Sequence, residues 1–314
     1  MSEVFVLLHD RVYYLYGTYD PMPNSGVRVY ISEDLVHWQD KGWALANSNR
    51  TWAQHHFWGA EVLFHHGAFY MYFNASPNKT PDLPFNVSLC IAVGDSPLGP
   101  FKELKTPFYD PPGPDEAIHQ HIFIDDDRQA YLYLTYVTYG RNEIRVVKLK
   151  ENLIEFDGEP ILCLRPTEPW ESHPIPGTSH LVAEGANVIK HKGYYYLTYA
   201  ANVFYSADYA MCYATSKNPM GPWTKAKNNP ILKSSEYIYG PGGGTTKSSP
   251  DGSEMFMLYS VHNNLSGWRP RRLAIDRIRF IPQQESPDLR TVDGPTHTPQ
   301  SLPSGAKSRV YEEK

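Results

Sequence analysis

A tyrosine-rich strand signature recurs five times along this 314-residue chain, and its period constrains the fold more than any other feature. The copies read VYYLYGT (12–18), AFYMYFN (68–74), QAYLYLT (129–135), YYYLTYA (194–200) and EMFMLYS (254–260). Each sets a Leu or Met among aromatics: Leu15, Met71, Leu132, Leu197 and Met257. These markers lie 56, 61, 65 and 60 residues apart. That period is too long for a helical solenoid and suits one blade of a propeller. A lone four-stranded sheet cannot bury both of its faces. Five sheets packed radially can, with their first strands lining a central channel. The expectation is an all-β chain folded as a five-bladed β-propeller. A β-sandwich is the alternative, and a sandwich has no reason to repeat at this interval.

The flanks of the signature repeat as well. A strand pattern precedes each copy, at 4–10, 60–66, 121–127, 186–192 and, more weakly, 244–251. Another follows it, at 27–38, 88–101, 143–156, 210–223 and 271–280. Three strands per blade are therefore legible, and a fourth is left to the connecting segments. The expected organisation is one propeller domain over 1–281. The Pro-, Ser- and Thr-rich segment 282–314 is expected to pack on it and to fray at 304–314.

Charge and composition exclude several function classes. A net charge of −5 argues against nucleic acid, which needs a basic footprint. The one dense basic group, Arg269, Arg271 and Arg272, is local. No apolar run is long enough for a membrane-spanning helix, so no membrane partner is expected. The glycine-rich GPGGG (240–244) opens a strand instead of a helix and lacks the dipole that holds phosphate. Cys90, Cys163 and Cys212 lack metal-ligand spacing. The His55–His56 and His65–His66 pairs have no carboxylate spacing to support a metal, so neither metal nor cofactor is expected. A cytoplasmic location is expected if Met1 is the native start, and a secreted one if a signal peptide has been removed.

In a propeller the starts of the innermost strands converge on one pocket. Counting back about a dozen residues from each marker gives Glu3, the Trp58–Gly59 pair, His119, Glu184 and Gly243. Aromatic faces suit sugar rings, and paired carboxylates suit glycosidic cleavage. A single Glu at a loop–strand junction is usually just solvated. Recurrence at one place in every blade is what singles these residues out.

At these positions the chain resembles glycoside hydrolase family 43, a five-bladed propeller family of β-xylosidases, α-L-arabinofuranosidases and arabinanases. The resemblance covers residues 3 to about 303. It rests on the order and spacing of YYLYGT (13–18), SEDLVHW (32–38), FWGAEV (57–62), HIFIDDDRQAYLYL (121–134), EGANVIKHKGYYYLTYAAN (184–202), SKNPMGPW (216–223), YGPGGG (239–244) and RRLAIDRI (271–278). It implies an inverting, exo-acting hydrolase of xylose- or arabinose-containing oligosaccharides. Glu184 then matches the general acid. Glu3 stands at the base position, where the family has Asp followed by Pro. His119 stands where the family has a third carboxylate that tunes the acid, and Gly243 replaces its axial His. Trp58, Arg272, Asn202 and Tyr239 are the expected sugar-binding residues. These departures imply weak or atypical turnover. The alternatives are a sugar-binding propeller with impaired catalysis and a protein-interaction propeller. Oligomeric state is not legible.

Overall fold

The computed structural model describes residues 1–22, 24–46, 51–77 and 86–307. Five four-stranded antiparallel blades follow one another along the chain, the third and fourth joined into one nine-stranded sheet by a short parallel pairing of Arg141 and Asn142 with Leu181 and Val182. The first holds β1 (Ser2–His9), β2 (Val12–Thr18), β3 (Gly26–Ser32) and β4 (Gln39–Ala46). The second holds β5 (His55–His65), β6 (Ala68–Ser76), β7 (Ser88–Gly94) and β8 (Lys102–Tyr109). The third holds β9 (Glu116–Ile124), β10 (Ala130–Thr138), β11 (Arg141–Leu149) and β12 (Phe156–Leu164). A short strand, β13 (Ser172–Ile175), precedes the fourth sheet and pairs with the start of its long β14 (Thr178–His191). That sheet continues through β15 (Tyr194–Ala201), β16 (Ala210–Ser216) and the two-residue β17 (Thr224–Lys225). The fifth holds β18 (Gly242–Ser248), β19 (Met255–Val261), β20 (Arg272–Ile281) and β21 (Leu289–Val292). The innermost strands β1, β5, β9, β14 and β18 touch their neighbours in a closed cycle. The fold is a five-bladed β-propeller, not a sandwich.

The tyrosine signature is the second strand of each blade, which both neighbouring blades cover. Its markers Leu15, Met71, Leu132, Leu197 and Met257 are all at most 2% exposed. Aromatic and β-branched residues on both faces of these strands fill the space between sheets, where each buried large side chain contributes about 1.5–3 kcal/mol. Most tyrosines here are core. Tyr16, Tyr72, Tyr133 and Tyr199 send their hydroxyls to Pro97 O, Leu153 O, Pro219 O and the Glu171 carboxylate. Tyr and not Phe serves where a buried polar partner waits.

The fourth strand of the fifth blade comes from residues 289–292. The domain boundary expected at 281 therefore falls inside that blade. The pattern missed it because β21 is only four residues long and partly exposed. The end expected to fray lies, from 308 onward, outside the described residues.

Candidate active site

All five innermost strands carry the same irregularity. Two residues oppose one on the second strand at Glu3–Val4, Gly59–Ala60, His119–Gln120, Gly185–Ala186 and Gly243–Gly244. The first residue of each bulge is left-handed, with φ of 50°, 55°, 50°, 67° and 58° in chain order. Three of the five are glycine, which takes this conformation without steric cost. Glu3 and His119 adopt it at a cost of roughly 1–3 kcal/mol each, which marks positions where a side chain is needed despite the strain.

Polar residues at the end of the tyrosine signature hold these bulges. Thr18 Oγ1 accepts the Gly59 amide (3.1 Å), Asn74 Oδ1 the His119 amide (2.9 Å) and Thr135 Oγ1 the Gly185 amide (3.1 Å). Each bond runs from one blade to the next and together they link the first four blades, while all five bulges ring the axis. The seventh letter of the signature, Thr or Asn in three copies, is explained by this contact.

The ring surrounds a pocket at the channel mouth, lined by residues of all five innermost strands: Glu3, Gly59, Glu61, His119, Gly185 and Gly243, together with Tyr209. Glu3 Oε1 lies 3.3 Å from His119 Nε2 and 3.8 Å from Arg271 Nη2. Its Oε2 accepts the Thr18 hydroxyl at 2.5 Å. Burial alone raises the Glu3 pKa. The His119 charge and hydrogen bond, the Arg271 charge and the Thr18 hydroxyl outweigh it and hold the carboxyl at about 2. Burial pushes His119 down, but the Glu3 contact and the Glu184 charge carry it above its usual value. Their contact therefore favours the ionised form of each.

Arg271 is fixed from behind. Asp20 accepts from its Nη2 (3.1 Å), its Nε (3.2 Å) and its backbone amide (2.8 Å), and also takes the Ser2 hydroxyl (2.9 Å). The guanidinium stands over Phe204 (5.4 Å) and Trp268 (5.7 Å). Both charged side chains are at most 3% exposed. Such a buried pair is weak evidence for stability, but it leaves the cation little freedom.

Glu184 is 4% exposed and comes from the strand beside His119. Its Oε2 accepts from Asn142 Nδ2 at 2.9 Å and its Oε1 from the Tyr209 hydroxyl at 3.1 Å. Burial, then the Glu184 charge, raises the Tyr209 pKa well above its usual value, so this hydroxyl keeps its proton. The bulge register also shows that Glu184 and Trp58 precede the left-handed position by one residue. They are not strict counterparts of Glu3 and His119, as the offset count had placed them.

The expected sugar-binding residues fare unequally. Arg272 is exposed and points toward His262 O (3.5 Å), while its neighbour Arg271 is buried against Asp20 and Glu3. Arg271 lies just before β20, whose first residue is Arg272, and the chain entering the strand turns the earlier side chain inward. Asn202 is buried but donates to Trp170 O and Ser172 O, bracing the loop that leads into β13. Tyr239 donates to Glu236 O within its own loop. Trp58 meets His56 edge-on at 4.9 Å, and the residue closing the wall against His119 is Gly59. Sequence reasoning missed Asp20, Asn142, His180, Tyr209 and Arg271. Only Arg271 stood out in the sequence, as one of the local basic group with Arg269 and Arg272.

Gly243 brings no side-chain ligand to the axis, and no group of three or more His, Cys, Asp or Glu suited to a metal occurs among the described residues.

The model of glycosyl hydrolases family 43 matches residues 2–283. A xylosidase/arabinosidase of Bacteroides ovatus is 27% identical over 71% of this chain and 76% of its own length. An extracellular endo-α-(1→5)-L-arabinanase of Bacillus subtilis is 26% identical over 68% of this chain and 48% of its own. The chain thus spans three quarters of one curated relative and about half of another. Among solved structures, a thermostable family-43 glycoside hydrolase is 34% identical with a TM-score of 0.85, covering 97% of this chain and 96% of that one. An endo-1,4-β-xylanase of Bacteroides thetaiotaomicron is 29% identical with a TM-score of 0.79, covering 94% of each. A five-bladed propeller with two carboxylates and an imidazole on its axial pocket, whose chain matches this model almost throughout, belongs to glycosyl hydrolase family 43.

Proposed function

We propose that this chain is an inverting, exo-acting glycosidase of short xylose- or arabinose-containing oligosaccharides. The observation that carries the reading is the state of Glu3: a carboxylate held ionised beside His119 and Arg271, in a pocket whose lining residue Tyr209 hydrogen-bonds Glu184. An ionised carboxylate can take a proton from water, and a second carboxyl that retains its proton can deliver it to the leaving oxygen. Glu184 takes the acid role and Glu3 the base role. A pocket enclosed by five strands suits a chain end more than a chain interior, which supports exo action. The named relatives act on xylan- and arabinan-type material, which supports the sugar class.

His119 has a different task from the carboxylate whose place it takes. It pairs with the base, so the departure from the family pattern accompanies an organised site, and this favours turnover over the impaired-propeller reading. Arg271 takes the sugar-facing role expected of Arg272.

The test is hydrolysis of 4-nitrophenyl β-xyloside and 4-nitrophenyl α-L-arabinofuranoside by wild type, Glu184→Gln and Glu3→Gln. Each substitution should lower kcat/KM by about 10²–10⁴, the usual contribution of acid–base catalysis. Proton NMR of fresh product should show the inverted anomer. Wild-type binding of xylo- or arabino-oligosaccharides without turnover would establish the impaired-propeller reading instead. Retained configuration would refute the proposed roles.

A further inference from the structure

Glu184 must hold a proton on one particular oxygen to act as an acid, and its surroundings decide which. Asn142 lies on β11 where that strand runs parallel to β14, opposite Val182, and its side chain is buried. Its Nδ2 points at Glu184 Oε2 and its Oδ1 at His180 Nε2, 3.1 Å away. An amide nitrogen only donates and an amide oxygen only accepts. His180 Nε2 must therefore carry the hydrogen. Burial lowers the His180 pKa, an effect the Glu184 charge opposes and His173 reinforces, so the ring is neutral with its one proton on Nε2. On the other side Tyr209 offers a hydroxyl, which can donate or accept.

We propose that His180 is a positioning residue that acts on Glu184 through Asn142: by holding the amide in one orientation, it confines the acidic proton to Oε1. Oε2 faces a donor that cannot accept, so a proton there would meet the NH₂ group. A proton on Oε1 can instead rest against the Tyr209 oxygen until a glycosidic oxygen arrives. Without His180 the amide is free to turn its oxygen to Oε2 and draw the proton to the wrong side. The other charged or titratable groups near this carboxyl are His119 from β9 and Tyr209 from the loop before β16. Glu3 and Arg271 act on both of these, and His173 of β13 sits opposite His180 in register. None of them contacts the Asn142 amide.

The inference rests on Glu184 being the acid, and one experiment separates the two claims. Phenyl and 2,4-dinitrophenyl glycosides of the sugar the wild type prefers differ in their need for a proton, since dinitrophenolate departs unaided. His180→Leu and Asn142→Leu should each lower kcat/KM on the phenyl glycoside by about tenfold or more, within the range of acid catalysis, and on the dinitrophenyl glycoside by less than about threefold. His180→Gln, which supplies an amide donor at similar reach, should restore the phenyl rate to within about threefold of wild type. Equal losses on both substrates, no loss on either, or failure of His180→Gln to restore the rate would overturn the inference. Glu184→Gln must show the same split between substrates. If it cleaves the phenyl glycoside normally, the acid assignment itself fails. If it shows the split and the two Leu variants do not, only the His180–Asn142 inference fails.

Discussion

Replacing His119 by Asn removes the charge beside Glu3 while keeping a residue that tolerates the left-handed backbone. Opposite unit charges 3.3 Å apart attract by about 5 kcal/mol at an effective dielectric of about 20. Desolvation of both partners takes back a large share. The net effect is visible in Glu3, whose pKa falls from 4.5 to about 2. At about 1.4 kcal/mol per tenfold change in proton affinity, that amounts to about 3 kcal/mol. His119 shares it with Arg271 and Thr18, so its loss should cost about 1–2 kcal/mol. The sign follows from each partner. The Glu3 value is depressed, so its contribution is present above 4.5 and lost as pH falls toward about 2. The His119 value is raised, so its contribution is full below 6.5 and lost as pH rises through the folded value above that. The stabilisation from both partners is at its full value only between about 4.5 and 6.5. Guanidinium unfolding of wild type and His119→Asn should show the largest difference near pH 5.5 and a smaller one near pH 9.5. The acid limb of kcat/KM should also move upward by about one pH unit in the variant. An equal loss of stability at both pH values would refute the ion-pair argument and make His119 a packing residue.

Asp20→Asn should destabilise the fold by up to about 3–5 kcal/mol in chemical denaturation, because it removes the closer partner of the buried Arg271 charge and leaves it only Glu3 at 3.8 Å. Arg272→Ala should leave kcat/KM within about threefold of wild type, as expected for an exposed side chain, whereas Arg271→Ala should lower it by about a hundredfold or more, since Arg271 bears on the base. Gly185→Ala tests the backbone alone: φ is 67° with nothing within 4 Å of an added Cβ, so a loss of about 1–2 kcal/mol in Tm-based stability is expected. Gly242→Ala would place a Cβ 2.0 Å from the Tyr209 ring. It should lower kcat more than Gly185→Ala does, because the displaced ring carries the hydroxyl on Glu184 Oε1.

The blade count, the second strand of every blade and the neighbourhood of Glu3, His119 and Glu184 were legible in the sequence alone. The reason is periodicity: a strand buried on both faces must be apolar and aromatic, and five copies at one interval leave few architectures that bury them all. The third strands were legible for the same reason. β21 was not, because a short outer strand with one face in water carries little pattern. The site's finer layout depended on features with no sequence signature. A bulge is one extra residue, and only the paired strand reveals which residue is extra; this is why Glu184 and Trp58 fell one place out of register with Glu3 and His119. Arg271 and Arg272 are chemically identical, and the path of the chain into β20 decides which one reaches Glu3. Asp20, Asn142, His180 and Tyr209 come from four separate stretches of chain, and ordinary local surroundings hide them. They meet only because five sheets close around one axis, so the sequence determined the scaffold and the tertiary structure decided which charges face one another.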